Sequence, residues 1–261
     1  MWVLDEGDAG SLMGGNKVRK LDAWLAAAHA HGATHLVTSG HAGSNHVLAT
    51  GLYGTRAGLS VAAVLFPGVG GNATVAGAAR IAACCTVRQV RGPGAVANAA
   101  REWMQELVAA GHRPFHIPAG GSGPVGNAPW QEVGAALKAE DFDAVVVALG
   151  SGGTAAGLAA GLRGAGTVVI GVRAVPRVAI DRAQLMAWCM GGPMTIDGDW
   201  YGGGYGLADD KVRAVLEDAH REGIMVEQVY TAKSLGAAWA RARDGRRVLW
   251  VQTASTVRSG G

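Results

Sequence analysis

Along the chain, apolar positions alternate between short unbroken runs and stretches at helical spacing. Residues 2–4 read as the end of a strand, and Asp5-Glu6-Gly7-Asp8 as a turn. Helical spacing follows over 17–32, 46–57, 73–83, 94–110, 125–139, 155–164, 179–190, 208–222 and 232–243. Between these helices lie apolar runs at 34–39, 60–66, 86–90, 114–118, 143–149, 168–172 and 247–252, with residues 191–206 as a glycine-rich loop. The run at 143–149 is the most apolar. Repeated strand–helix units with apolar strands predict an α/β protein with parallel sheets covered by helices on both faces.

Two lobes are expected. Residues 18–130 form a smaller, mobile lobe, residues 1–17 with 131–261 the larger one, and the cleft between them the pocket. The 42 glycines among 261 residues follow no three-residue period, which fits many tight connections and excludes collagen. With 49% hydrophobic and 16% charged residues the chain has the composition of a globular protein. A net charge of +3 without a basic block gives no reason to expect nucleic acid as a partner. Cys84, Cys85 and Cys189 are odd in number, which argues against a disulfide framework and for a reducing compartment. No apolar run has membrane-spanning length, so a cytoplasmic protein is expected.

Candidate chemistry begins at Gly14-Gly15-Asn16-Lys17-Val18-Arg19-Lys20-Leu21-Asp22. The glycine pair makes a turn, Asn16 caps a helix, and Lys17 falls in the first helical turn. The positive end of a helix dipole lowers an amine's pKa, which suits a neutral nucleophile. Arg19 and Lys20 are expected to cover the helix surface. Two further loops suit anions: Gly43-Ser44-Asn45-His46, and Gly150-Ser151-Gly152-Gly153-Thr154. The second also fits a relaxed dinucleotide fingerprint ending at Ala155, so an NAD(P)-binding oxidoreductase competes. Against that, the strand at 168–172 runs into Arg173 where an acidic ribose ligand is expected. His29, His31, His35, His41 and His46 scatter over a helix, a strand and a loop, and no metal site is expected from them.

The ordered set is more specific. After the lysine turn come Ser44-Asn45-His46, then the loop from Gly150 to Leu158, then Gly204-Tyr205-Gly206, then Val229-Tyr230-Thr231-Ala232-Lys233. This resembles the 1-aminocyclopropane-1-carboxylate deaminase / D-cysteine desulfhydrase family, within the tryptophan synthase β-like group (fold type II) of pyridoxal 5'-phosphate enzymes. The likeness runs over nearly the whole chain. It implies that Lys17 condenses with the cofactor aldehyde and then moves the substrate proton. It also implies that Gly150, Ser151, Gly152, Gly153 and Thr154 hold the cofactor phosphate. Ser44, Asn45 and His46 would bind the substrate carboxylate, with Asn45 also close to the pyridine 3'-oxygen. Tyr205 and Tyr230 would line the substrate side, and Trp200 is a candidate for its edge. Thr231 and Thr253 fall at cofactor positions, Thr231 near the pyridine nitrogen. There the deaminase branch carries an acid and the desulfhydrase branch a hydroxyl. A hydroxyl gives a full carbanion little help, so β-elimination from a small amino acid such as D-cysteine is expected before cyclopropane opening. A homodimer is implied by the resemblance alone.

The family pattern is broken at both ends. Relatives carry a further few tens of residues before the strand at 2–4, and a glycine pair where this chain reads Ala254-Ser255 after Thr253. A ring-opening deaminase, or a protein that keeps the fold and the cofactor without catalysis, are the other readings. Cys84, Cys85 and Cys189 are all expected to be buried small hydrophobes.

Overall fold

The structure is a computed structural model in which residues 1–68 and 72–256 are described. The chain divides into two compact units, residues 1–20 with 122–261 and residues 21–121. These limits differ from the expected ones at 17/18 and 130/131. The first turn of the lysine helix belongs to the larger unit because Arg19 pairs with Glu6 and Lys20 hydrogen-bonds Ser122. Residues 122–130 belong there because helix α5 (Pro124–Ala136) packs along its whole length on α6 (Gly153–Gly161). Glycines permit that approach. A Cβ at Gly157 would lie 2.6 Å from the Asn127 carbonyl oxygen, and one at Gly161 only 2.2 Å from that of Gln131.

In the larger unit, β1 (Trp2–Asp5), β6 (Ala144–Leu149), β7 (Val168–Arg173), β8 (Met194–Asp197) and β9 (Val248–Gln252) form one parallel sheet in the order β1-β9-β6-β7-β8. Side chains alternate between its faces. Val145, Val147 and Leu149 pack with Leu158 and Trp130 on one face. Ala144 and Val146 pack on the other with Val212, Val215 and Leu235, from α8 (Asp210–Arg221) and α9 (Thr231–Arg243). Burial on both faces is why β6 is apolar at every position. β8 lies inside the stretch expected to be loop. It is a four-residue edge strand whose half-polar Met-Thr-Ile-Asp pattern gives a weak signal, and its pairing with Val169–Val172 supplies the rest.

The smaller unit holds β2 (His35–His41), β3 (Ser60–Phe66), β4 (Thr86–Gln89) and β5 (Pro114–His116) as a parallel sheet in the order β4-β3-β2-β5. Val37, Ala62 and Val64 pack against Ala99, Ala100 and Trp103 of α4 (Val96–Ala109). The opposite face receives α2 (Asn45–Arg56), whose Gly54 sits on Leu36 and Val61. Helix α3 (Asn72–Cys84) follows β3, and α1 (Lys17–Ala30) precedes β2. Helix α7 (Arg182–Trp188) completes the set. Among the described residues, no helix is long and apolar enough to cross a membrane.

Candidate active site

Strand β1 leads through a turn to the lysine helix, and the end of β9 holds that turn in place. Gly15 adopts a φ of +90°, and a Cβ there would lie 2.6 Å from the Thr253 carbonyl oxygen. The same carbonyl accepts from the Asn16 N–H at 3.2 Å, and Ser255 Oγ accepts from the Gly14 N–H at 2.9 Å. Thr253 and Ser255 therefore fix the turn that presents Lys17.

Asn16 joins the lysine to the glycine loop. Its Nδ2 donates to Thr154 Oγ1 at 2.9 Å, and its Oδ1 accepts from Lys17 Nζ at 2.8 Å. Lys17 is half-buried, and desolvation brings its pKa down from 10.5 to about 8. The direction is the one expected from the helix terminus, but desolvation is its cause. Gly152 takes a left-handed φ of +88° and starts α6, all of whose residues are buried. The first-turn N–H groups of such a helix have no intrahelical acceptors. A Cβ at Gly153 would lie 2.3 Å from Asn127 Oδ1, 2.4 Å from Ser122 Oγ and 2.7 Å from Lys20 Nζ. A glycine cradle at a helix start, ringed by hydroxyls and an ammonium, fits a phosphate group.

Lys20 corrects the surface role expected of it. It is fully buried, with its Nζ donating to Ser122 Oγ at 3.1 Å. Ser122 Oγ also lies 2.8 Å from Ser151 Oγ and accepts from the Gly153 N–H at 3.2 Å. Burial, and then the Lys17 charge, hold the Lys20 amine well below the usual lysine range. A phosphate dianion would reverse that penalty. The signal was its position, three residues after Lys17 and so on the same helix face. Arg19 keeps the surface position expected of it, its side chain 41% exposed, while its Nε donates to the buried Glu6 carboxylate at 2.8 and 2.7 Å.

The two tyrosines meet: their hydroxyls are 3.2 Å apart and their rings cross edge to face at 6.1 Å. Burial raises both phenol pKa values, Tyr230 the more strongly. Tyr230 also packs on the glycine loop at 150–154, since a Cβ at Gly150 would lie 3.1 Å from its Cε1. Glu227 and Lys233, given no role from sequence, hold this pair. Tyr230 is the N-cap of α9 but its side chain makes no cap. Glu227 supplies the cap instead, accepting from the N–H groups of Val229, Tyr230 and Thr231 at 2.7, 3.0 and 2.9 Å. Thr231 is fully buried, and its Oγ1 accepts from the Glu227 N–H at 2.8 Å. Lys233 Nζ donates to the carbonyls of Tyr201 and Gly204 at 2.6 and 2.8 Å, tying the glycine loop before Tyr205 to α9. Desolvation lowers its pKa to about 8. An acid three residues before a helix N-cap was the readable signal for Glu227.

In the smaller unit, Ser44 caps α2, its Oγ accepting from the Val47 N–H at 3.4 Å. Asn45 is exposed and occupies the first helical position. His46 turns its imidazole into the core of the unit. Its ring is 3% exposed, and Nε2 lies 2.9 Å from Thr38 Oγ1, which donates onward to the Ile117 carbonyl. With the Thr38 proton committed, Nε2–H is the donor. The ring fastens α2 to β2, and the part of His46 at the helix terminus is its backbone. Trp200 packs on Gly236 of α9, with the Lys211 ammonium of α8 3.6 Å from its ring centre. Cys189 is core, 1% exposed, with its thiol 3.6 Å from Met194 Sδ.

A half-buried amine of lowered pKa, tied through one asparagine to a glycine cradle at a helix start beside a parallel sheet, is the arrangement of a pyridoxal 5'-phosphate enzyme of fold type II. The chain belongs to the pyridoxal-phosphate dependent enzyme family, whose model matches residues 5–249. It is 33% identical over 270 residues to a D-cysteine desulfhydrase of Klebsiella pneumoniae (strain 342), covering 92% of this chain and 82% of that one. A D-cysteine desulfhydrase of Serratia proteamaculans (strain 568) is 30% identical over 277 residues, with the same coverage. Among solved structures, the crystal structure of an ACC deaminase homologue superposes with a TM-score of 0.80 at 27% identity, covering 97% of this chain and 84% of that one.

Proposed function

We propose that the protein catalyses β-elimination from a small amino acid, D-cysteine by preference, releasing sulfide, a keto acid and ammonia. The observation that carries this reading is the Asn16 bridge, which sets the Lys17 amine and the Thr154 cradle at two ends of one side chain. The cofactor, when bound, supplies an electron sink for negative charge at the substrate α-carbon. Lys17 carries it and, with a pKa near 8, accepts and returns a proton at neutral pH. Gly150, Ser151, Gly152, Gly153 and Thr154 take the phosphate, with Ser122 and Lys20 behind them. Ser44, Asn45 and the backbone of His46 take the substrate carboxylate. Tyr205 and Tyr230 stay protonated because burial raises their pKa values, which suits donation of a proton to a departing thiolate. Thr231, held by Glu227, is the residue that would stand near the pyridine nitrogen, and a hydroxyl there, in place of an acid, would favour elimination over ring opening. We further assign a homodimer, on the family resemblance, and a cytoplasmic setting, in which the three free thiols are stable.

The test is a product screen of purified protein with D-cysteine, L-cysteine, β-chloro-D-alanine and 1-aminocyclopropane-1-carboxylate. Sulfide, keto acid and ammonia should appear together from D-cysteine, and none from Lys17→Ala. Turnover of the cyclopropane alone would replace this reading with the deaminase one. A protein that takes up pyridoxal phosphate yet transforms no amino acid would refute catalysis.

A further inference from the structure

Helix α3 ends at Cys84, and Cys85 follows directly. Their sulfurs lie 3.9 Å apart and both residues are partly exposed. Both sulfurs rest on one glycine of α2: a Cβ at Gly51 would lie 2.5 Å from Cys84 Sγ and 2.6 Å from Cys85 Sγ. Any larger residue there would push the thiols apart, so the backbone of α2 is the floor that brings them together. The two thiols are in hydrogen-bond contact, and this contact, helped by the Arg80 charge, lowers the Cys84 pKa to about 7. The Cys84 thiol also donates to the Arg80 and Ile81 carbonyls at 3.4 and 3.5 Å, which holds its sulfur at the helix end with a second thiol beside it. Cys189 provides the contrast, buried against Met194 with its pKa raised by burial.

The separation selects the chemistry. A disulfide needs about 2.05 Å between sulfurs, little more than half of what is seen, and closing the gap would distort the end of α3. A single pyramidal thiophilic atom bonded to both sulfurs at about 2.3 Å, with an angle of about 100°, needs them about 3.5 Å apart, a shift of roughly 0.4 Å from what is seen. A structural zinc ion takes four protein ligands. Among the described residues, no group of three or more His, Cys, Asp or Glu side chains is placed to hold a metal. The occupant must make two protein bonds and bring its own remaining substituent. We propose that Cys84 and Cys85 form a bidentate capture site for a monosubstituted trivalent arsenical, R–As(OH)2. Two As–S bonds form and two As–O bonds break. Each departing hydroxide takes one thiol proton and leaves as water, and arsenic stays trivalent, so no oxidant or reductant is needed.

The probe is phenylarsonous acid, the hydrated form of phenylarsine oxide, added to the holoenzyme at pH 7.5. Intact mass should show one equivalent bound with loss of two waters, resistant to excess 2-mercaptoethanol and released by 2,3-dimercaptopropanol. Cys84→Ser and Cys85→Ser should each weaken capture at least 50-fold, whereas Cys189→Ser should bind as the parent does. In the unmutated protein the adduct should shield Cys84 and Cys85 together from iodoacetamide, a readout independent of any variant's folding. Capture that survives both single substitutions, yields to the monothiol, or maps to Cys189 would overturn the site, as would no adduct.

Discussion

Substituting Gly153→Ala tests the phosphate cradle most directly. The new methyl would stand 2.3 Å from Asn127 Oδ1, 2.4 Å from Ser122 Oγ and 2.7 Å from Lys20 Nζ. Each must withdraw by roughly 1 Å to reach ordinary contact, and overpacking of this kind costs about 1–3 kcal/mol. Ser122 is the centre of the damage, because it accepts from both the Gly153 N–H and Lys20. In the apo-protein these side chains can swing aside. Binding a phosphate calls them back, so the cost falls on the complex and weakens affinity by about 5- to 150-fold. Gly166→Ala is the control, since nothing lies within 4 Å of a Cβ there. Titration of apo-protein by tryptophan fluorescence with pyridoxal 5'-phosphate, and separately with pyridoxal, reads both arms. The deficit of Gly153→Ala should appear with the phosphorylated ligand and be small with pyridoxal. Equal losses for the two ligands, or parent-like binding of the phosphate, would refute the cradle.

Three other outcomes follow from the same geometry. With a pKa near 8 in place of 10.5, Lys17 is roughly a quarter neutral at pH 7.5 against about a thousandth for a solvated lysine. The rate of pyridoxal-phosphate uptake, followed by visible absorbance, should then rise with a midpoint near pH 8. A midpoint near 10.5, or uptake that persists in Lys17→Ala, would contradict the assignment. Glu227→Ala leaves three N–H groups at the start of α9 without their cap, a loss of about 1–2 kcal/mol, and should lower Tm by roughly 2–8 °C. It should also lower kcat more than cofactor affinity, because Tyr230 and Thr231 lose their anchor; an unchanged kcat would remove the positioning role. Lys233 has a folded pKa of about 8 and an unfolded one near 10.5, so between these values the unfolded chain binds the extra proton. Stability relative to Lys233→Met should therefore rise from pH 8 to 10.5 in denaturant titrations, and a flat or falling difference would show that the amine is not desolvated.

Much of the site was readable one segment at a time. Gly14-Gly15-Asn16-Lys17 and Gly150-Ser151-Gly152-Gly153-Thr154 each state local backbone chemistry, a turn or a helix start, that depends on a few neighbouring residues. The alternation of strand and helix was equally local, because a strand buried on both faces must be apolar at every position, as β6 is. The misreadings share a different cause. Arg19-Lys20 has the composition of a surface pair, yet Lys20 is fully buried and reaches Ser122, over a hundred residues away. Cys84 and Cys85 read as buried small hydrophobes, yet both are partly exposed at the end of α3.

By itself, then, the amino-acid order determined which segments become strands and helices and which amine and loops can do chemistry, since those properties arise within one or two turns of chain. Only the tertiary structure decided which polar side chains are buried, where the units divide, and that Glu227, Lys233 and Gly51 matter. Burial, desolvation and close backbone approach are properties of what the rest of the chain brings alongside, and no local pattern encodes them.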